Sequence, residues 1–317
     1  MNATELENQL ETYLAARSAL GYRDYFLKRL LQDFVRYVID RHDYGPVRAR
    51  IAVDWACATS ARNGTSRLAY RLSAARRFLT HLRASFPDTE VPVMGLLKKS
   101  PRRNPYHFSN EQICDLLKKA STLGPAGSLR PHTYETILGL LASTGMRVGE
   151  AIRLKTEDVQ LHADPPRLEV LESKFHKSRL VLLHPTTAEK LRRYAERRAQ
   201  KAEESPSQAF FISKRRQPLC YGTLRSWFVR ATGELGMRPA DGRRLPTLHA
   251  LRHHFAVERL TLWCQEGAPV KDLAPTLSVY LGHVSPAESY WYLMATPALL
   301  MTAGESFQHF ATLGGDT

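Results

Sequence analysis

Two segments of the sequence place arginine and histidine where one anion could reach them. Arg147 follows Gly145, a residue type at which helices commonly end, so its side chain can project from a turn into a cleft. His249 and Arg252 are three residues apart and therefore share one face of the helix predicted over residues 247–264. A guanidinium is a permanent fork of donors for phosphate oxygens, and an imidazole adds a further donor. Taken singly, these residues are also typical of a surface charge or of a helix cap with a core histidine.

A third segment carries a pair of lysines. Residues 167–172 and 178–183 alternate between apolar and polar side chains, and the short stretch between them predicts a β-hairpin. Lys174 and Lys177 lie at the tip of that hairpin, with Arg179 beside them. An ordinary charged turn is the simplest interpretation of this segment on its own.

The fourth segment, residues 280–293, combines a histidine with several aromatic residues. Gly282 allows a turn, His283 follows it, and a helix is predicted to begin at the proline three residues later. Tyr290 and Tyr292 lie on that helix, where core packing is the simplest role for an aromatic side chain.

Together and in this order, the four segments resemble the tyrosine recombinase (phage integrase) family. The resemblance rests on the spacing and on the flanking runs Thr-Gly-Met-Arg, Leu-Arg-His and Leu-Gly-His, and it covers the whole chain. The residues that match the catalytic positions of the family are Arg147, Lys174, His249, Arg252, His283 and Tyr292. Tyr292 matches the nucleophile by its distance from His283, and Tyr290 is the alternative.

The resemblance implies a site-specific recombinase that cleaves and rejoins DNA through a covalent 3′-phosphotyrosine. Two arginines would stabilise the charge that develops on the phosphoryl oxygens, and the histidines would add hydrogen bonds or accept the tyrosine proton. Lys174 would protonate the leaving 5′ oxygen. The link conserves the energy of the phosphodiester, so neither ATP nor a metal ion is implied, and we expect no cofactor.

Some features depart from the usual pattern of the family. The hairpin reads Ser-Lys-Phe-His-Lys where Gly-Lys-Gly is common, so Lys177 is a possible substitute for Lys174. The gap from Arg252 to His283 is also longer than in compact members. These features, and the run around Tyr292, are more similar to recombinases of transposon-type mobile elements than to resolvers of chromosome dimers.

The net charge of +14 indicates a nucleic-acid partner, because clustered arginine and lysine side chains neutralise phosphates. Residues 47–83 contain eight arginines and a single aspartate, a net charge of +7. A solvated surface helix, or an arginine-rich genome, is the alternative explanation. The side chains that we expect to contact double-stranded DNA are Arg67, Arg71, Arg76, Arg77, Lys98, Lys99, Arg102, Arg103 and Lys177.

Periodicity predicts a mainly α protein with a small β-hairpin. Helical stripes dominate residues 1–97, prolines and basic residues at 98–105 indicate a linker, and residues 106–317 form a second domain that opens with a capping box at Ser109. Further helices are predicted near 186–203, 221–236, 271–281 and 286–295. By resemblance, the first domain is the helical, SAM-like core-binding domain of the family and the second its catalytic domain, together closing as a C-shaped clamp on duplex DNA.

Other classes of protein are excluded or kept as alternatives. No apolar run approaches the roughly 18 residues of a membrane span, and Met1–Glu7 does not look like a signal peptide, so we expect a cytoplasmic protein. The four cysteines are far apart without ligand spacing, which argues against a zinc site or a disulfide framework. The resemblance implies a tetrameric synapse of this chain or of companion recombinases. A strand-relaxing enzyme like type IB topoisomerases and a non-catalytic DNA-binding relative remain the alternatives.

Overall fold

The computed structural model describes residues 1–22, 25–41, 45–58, 65–97, 106–125, 127–171, 178–202, 207–239 and 245–282. These residues are mainly helical with one small sheet, as the sequence predicts. The chain divides into two compact units, Met1–Arg103 and Asn104–Thr317, and the division falls inside the segment predicted as a linker. Among the described helices, none combines the length and the apolar character that a membrane span requires.

The described part of the first unit consists of helices packed around an apolar core that includes several aromatic side chains. The helices are α1 (Ala3–Ala19), α2 (Tyr25–Asp40), α3 (Ala49–Cys57) and α4 (Thr65–Ser85). Phe34 of α2 contacts both Trp55 of α3 and Phe78 of α4, with ring centroids 4.9 and 6.4 Å apart. Helical spacing from Leu30 and Phe34 predicts that Phe26 faces the core at the start of α2, but Phe26 is exposed and Leu27 is buried in its place.

Arg71 of α4 corrects one prediction about DNA contacts. Only 5% of the residue is exposed, so it does not lie on the outer face of the helix as expected. Its Nη2 donates to Asp33 Oδ2 and to the Trp55 carbonyl, each at 3.1 Å, and the guanidinium stacks 3.9 Å from the Trp55 ring. Arg71 therefore joins α4 to α2 and α3, with its guanidinium hydrogen-bonded and stacked inside the unit.

Arg77, another arginine of α4, provides a matched comparison for the structural role of Arg71. We expect Arg71→Ala to lower the free energy of unfolding by about 2–3 kcal/mol, through the loss of charge-assisted hydrogen bonds and of the stacking on Trp55. Arg77→Ala, on the exposed face of the same helix, should change it by less than about 0.5 kcal/mol. Urea unfolding of both variants measures the difference. Equal effects would contradict the assignment of Arg71 to the core.

The second unit surrounds a larger core with seven described helices. They are α5 (Asn110–Ser121), α6 (Arg130–Thr144), α7 (Val148–Arg153), α8 (Pro185–Ala202), α9 (Tyr221–Glu234), α10 (His249–Gln265) and α11 (Val270–Leu281). The capping box is confirmed: Ser109 Oγ accepts from the Gln112 amide, and Gln112 Oε1 accepts from the Ser109 amide. The α6 helix packs against both α5 and α10, which places the start of α10 beside the end of α6.

A three-stranded antiparallel sheet lies between α7 and α8 in the sequence. Its strands are β1 (Val159–Gln160), β2 (Arg167–Val170) and β3 (Arg179–Leu182), in the order β1-β2-β3. The predicted hairpin is confirmed, with Leu168 paired to Val181 and both side chains buried. The two-residue β1 was not predicted, since it is too short for an alternating pattern to be visible. The hairpin tip, with Lys174 and Lys177, lies outside the described residues.

Candidate active site

Arg147 is placed by a turn that only glycine fits well. Gly145 ends α6 with a φ of 62°, in the left-handed region, and a Cβ there would collide with Phe255 and Leu281. Two residues later, Arg147 is the N-cap of α7, with a quarter of its side chain exposed. Its Nη2 donates to the Gly282 carbonyl at 2.7 Å, across a large separation in sequence. The guanidinium therefore lies at the end of α11, against the residue that precedes His283 in the sequence.

Glu150 fixes the orientation of Arg147. One carboxylate oxygen accepts from Arg147 Nη1 at 2.9 Å, and the other accepts from its backbone amide at 3.0 Å. The same carboxylate accepts from Arg179 of β3, at 2.7 Å from Nη2 and 3.2 Å from Nη1. Burial raises the pKa of Glu150, but the hydrogen bonds and charges of the two arginines outweigh it and lower the pKa to about 2. Glu150 is thus an ionised carboxylate between two guanidinium groups.

Arg179 links the sheet to the end of α11. Its Nε donates to the Tyr280 carbonyl at 2.9 Å. Gly282 is left-handed, with a φ of 69°, and a Cβ built on it would lie 2.9 Å from Arg179 Nη1. The backbone conformation therefore favours glycine at position 282, and a side chain there would also displace the Arg179 guanidinium.

Among the predicted catalytic residues that the structure describes, Arg252 is the most buried. It is 2% exposed, and its Nη1 donates to the Gly145 carbonyl at 2.9 Å while Nη2 donates to the Leu281 carbonyl at 2.8 Å. Arg252 and Arg147 therefore bind adjacent carbonyls at the end of α11. The structure brings together these two arginines, which the sequence separates widely. Two permanent cations at the end of one helix suit the binding of a phosphate.

Of the other predicted catalytic residues, the structure describes His249 but not Lys174, His283 or Tyr292. His249 is exposed at the first position of α10, one turn before Arg252. Lys174, Lys177, His283, Tyr290 and Tyr292 lie outside the described residues. Their assignments, including the choice between the two lysines and between the two tyrosines, stay predictions.

The predicted DNA contacts on α4 also differ in exposure. Arg67 and Arg77 are exposed, as expected for side chains that meet a phosphate backbone. Arg76 is half-buried and donates to the carbonyls of Pro92 and Val93, each at 2.8 Å, so it holds the segment that follows α4. The predicted contacts outside the described residues are Lys98, Lys99, Arg102, Arg103 and Lys177.

Sequence reasoning missed Glu150 and Arg179. Glu150 lies three residues after Arg147, and that spacing on a short helix was the available signal. Arg179 was noted beside the hairpin tip, but its partner was not, because an ion pair between a strand and a distant helix leaves no periodic pattern in the sequence.

A buried histidine follows Arg252 and makes the fold sensitive to acid. Burial, together with the charges of neighbouring histidines, lowers the pKa of His253 from 6.5 to about 3. Below pH 6.5, His253 is therefore protonated in the unfolded chain but stays neutral in the folded chain. Proton binding thus favours the unfolded chain, and stability is lost as the pH falls from 6.5 toward 3. We expect the free energy of unfolding to be about 2 kcal/mol lower at pH 5 than at pH 7 from this residue.

Urea unfolding at both pH values measures this loss. His253→Asn removes this titrating group and should reduce the loss by about 2 kcal/mol, whereas the exposed His162→Gln should leave the loss unchanged. A His253→Asn protein that loses as much stability as the wild type would show that another group carries the effect.

Comparisons with known proteins agree on one family. The sequence profile of the phage integrase family matches residues 107–298. A protein of Sinorhizobium fredii named "Putative integrase/recombinase y4rB" is 36% identical over 299 residues, which cover 93% of this chain and 94% of the relative. The tyrosine recombinase XerD of Staphylococcus epidermidis is 32% identical, over 67% of this chain and 66% of its own.

Two solved structures have a similar fold at low sequence identity. The integrase of the transposon Tn1549, in complex with transposon right end DNA, aligns with a TM-score of 0.67 at 14% identity over 98% of this chain and all of its own. A lambda integrase tetramer bound to a Holliday junction aligns with a TM-score of 0.64 at 17% identity, covering 92% of this chain and 77% of its own.

Proposed function

Because the chain belongs to the phage integrase family, we propose that it is a site-specific DNA recombinase whose nucleophile is Tyr292. It cleaves and rejoins DNA strands by transesterification. The residue assignment rests on one observation. Arg147 and Arg252 donate hydrogen bonds to the adjacent carbonyls of Gly282 and Leu281. His283 follows these carbonyls in the chain, and Tyr292 follows nine residues later.

The arginines supply the electrostatic part of the reaction. A phosphodiester carries a negative charge that repels an incoming nucleophile, and more charge spreads over its oxygens in the transition state. Two of the five N–H donors of Arg147 are engaged by described residues, and a quarter of its side chain is exposed. Further donors of Arg147 are therefore available for a non-bridging oxygen, and Arg252 lies alongside.

The remaining residues supply the nucleophile and the two proton transfers of the reaction. The Tyr292 hydroxyl loses its proton to His249 or His283 and attacks phosphorus, which forms the 3′-phosphotyrosine bond. The bond from phosphorus to the 5′ oxygen breaks, and Lys174, or Lys177 in its place, donates a proton to give a free 5′ hydroxyl. A 5′ hydroxyl of another strand reverses these steps, so the phosphodiester count is conserved.

The basic residues of the first unit and the linker bind the DNA on either side of the cleaved phosphate. We assign this role to the exposed Arg67 and Arg77 and to the basic residues at 98–103. Both units bind duplex DNA, and four protomers join two sites. The long gap before His283 favours a mobile-element recombinase that acts on DNA in the cytoplasm.

The test is the trapping of a covalent complex. The full chain is incubated with nicked duplexes that tile the genomic DNA flanking its gene, in EDTA and without ATP. We expect one duplex to give a protein–DNA complex that resists SDS, because the fragment released at the nick cannot rejoin. Exchange between two plasmid copies of that duplex should follow.

The alternatives predict different results in the same assay. A strand-relaxing enzyme would relax supercoiled plasmid without any preferred duplex and without exchange. A non-catalytic relative would bind DNA in a gel shift and give no SDS-resistant complex with any duplex, and this result would overturn the proposal.

Binding by a phosphate clamp predicts a steep dependence on salt. We expect the affinity for a duplex to fall by more than about a hundredfold between 50 and 200 mM salt, because each phosphate contact releases counterions. Fluorescence anisotropy at several salt concentrations measures the slope. Arg77→Ala should reduce that slope by about one contact, whereas a slope close to zero would contradict the clamp.

A further inference from the structure

A second group of polar side chains lies apart from the arginine–glutamate site, where α10 meets the segment before α5. His254 and Glu258 are four residues apart on α10 and so share a face of that helix. His107 lies against them from the segment before α5, with its Nε2 3.6 Å from Glu258 Oε1. One ligand atom from each of the three residues lies within 4.8 Å of the other two.

We propose that His107, His254 and Glu258 bind one divalent transition-metal ion of the zinc class. Two imidazoles and a carboxylate form a ligand set that suits zinc and its neighbours rather than magnesium or calcium, which prefer oxygen ligands alone. Three protein ligands leave a coordination position for water. The site goes beyond recombinase chemistry, since none of its three residues belongs to the proposed catalytic set.

His254 is already arranged as a metal ligand. It is 5% exposed, and its Nδ1 lies 3.0 Å from the Phe108 carbonyl, an acceptor only, so Nδ1 carries the proton and donates. This tautomer leaves the lone pair of Nε2 for a metal, and such a hydrogen bond to a backbone carbonyl typically orients a ligating histidine. Burial lowers the pKa of His254, which keeps the ring in the neutral form that metals bind.

The other two ligands can close on this fixed one. Bonds of about 2.0–2.2 Å in a tetrahedral site place ligand atoms about 3.4 Å apart, so ligand atoms that now lie up to 4.8 Å apart must approach by up to about 1.4 Å. The side chains of His107 and Glu258 are each 42% exposed and can rotate toward the buried His254. The bound ion would join the start of the second unit to α10, the helix that carries Arg252.

The experiment measures metal binding by the full, untagged chain. Protein freed of metal with a chelator is titrated with ZnCl₂ by calorimetry, and the bound zinc is counted after dialysis. We expect one equivalent, and at least a tenfold weaker affinity in His107→Ala and in Glu258→Gln. MgCl₂ should give no binding at this site, and the exposed His162→Ala should bind zinc like the wild type.

Two further measurements separate this site from other causes of binding. Cobalt in place of zinc should show visible absorption without a thiolate charge-transfer band, because no cysteine is a ligand. The exposed positions 107 and 258 are chosen over the buried 254 so that the variants fold, which thermal unfolding without metal verifies. Unchanged zinc affinity in both variants, or a thiolate band that they do not alter, would overturn the proposal and leave His107 and Glu258 as an ordinary surface ion pair.

Discussion

Tyr292→Phe is expected to abolish the SDS-resistant protein–DNA complex, with a loss of more than about a thousandfold in cleavage rate. The phenol oxygen is the atom that bonds to phosphorus, and phenylalanine keeps the ring but lacks that oxygen. DNA affinity should stay within about twofold of the wild type, because one neutral hydroxyl contributes little to a clamp of phosphate contacts. Gel electrophoresis in SDS with the trapped duplex measures the first effect, and anisotropy measures the second.

Tyr290→Phe is the matched control. It removes the same hydroxyl two residues earlier, which on the helix predicted from the sequence would lie about 200° away and would not face the same phosphate. This variant should form the complex at a rate close to that of the wild type. If Tyr290→Phe abolishes the complex and Tyr292→Phe does not, the nucleophile is Tyr290.

Glu150→Gln is expected to cost about 3–5 kcal/mol of stability, because it removes a buried negative charge that lies between two partly buried guanidinium groups. The amide keeps the shape of the side chain but cannot accept from Arg147 and Arg179 on both sides. Cleavage by the protein that still folds should slow by about a hundredfold, since Arg147 loses the group that orients it. Urea unfolding and single-turnover trapping of the covalent complex measure the two effects.

A surface carboxylate provides the control for this charge. Glu157 is 70% exposed and pairs with Lys155, so Glu157→Gln should change stability by less than about 0.5 kcal/mol. The pKa of Glu150 near 2 adds a second signature. Its stabilising contribution is present above pH 4.5 and is lost as the pH falls toward 2, so Glu150→Gln should flatten the acid unfolding in that range. A variant as stable as the wild type at pH 7 would contradict the role of Glu150.

Much of the fold could be predicted because local rules decide it. The box at Ser109, the end of α6 at Gly145 and the pairing of β2 with β3 each follow from neighbours in the sequence. The exposed Phe26 shows the limit of such rules, since two adjacent apolar residues leave the phase of a helix undecided until its neighbours pack.

The partners of charged residues could not be predicted in the same way. Arg71 and Arg77 are the same residue type on the same helix, yet Arg71 is buried beside Trp55 and Arg77 is exposed. Likewise, Glu150 was visible in the sequence but its second cation, Arg179, comes from a strand of the sheet. The sequence gives the sign of each charged side chain, but it does not show whether the counter-ion is DNA or another part of the chain.

The acceptors that Arg147 and Arg252 use at the end of α11 are main-chain oxygens, which every residue type supplies. This contact can therefore persist while side chains drift during evolution, and it would leave no covarying pair of positions in a comparison of relatives. The contact does depend on the length of α11. Inserting or deleting one residue in α11 rotates the last carbonyls by about 100° and turns them away from both guanidinium groups. Natural variation in this protein should accordingly be rich in substitutions along α11 and poor in changes of its length.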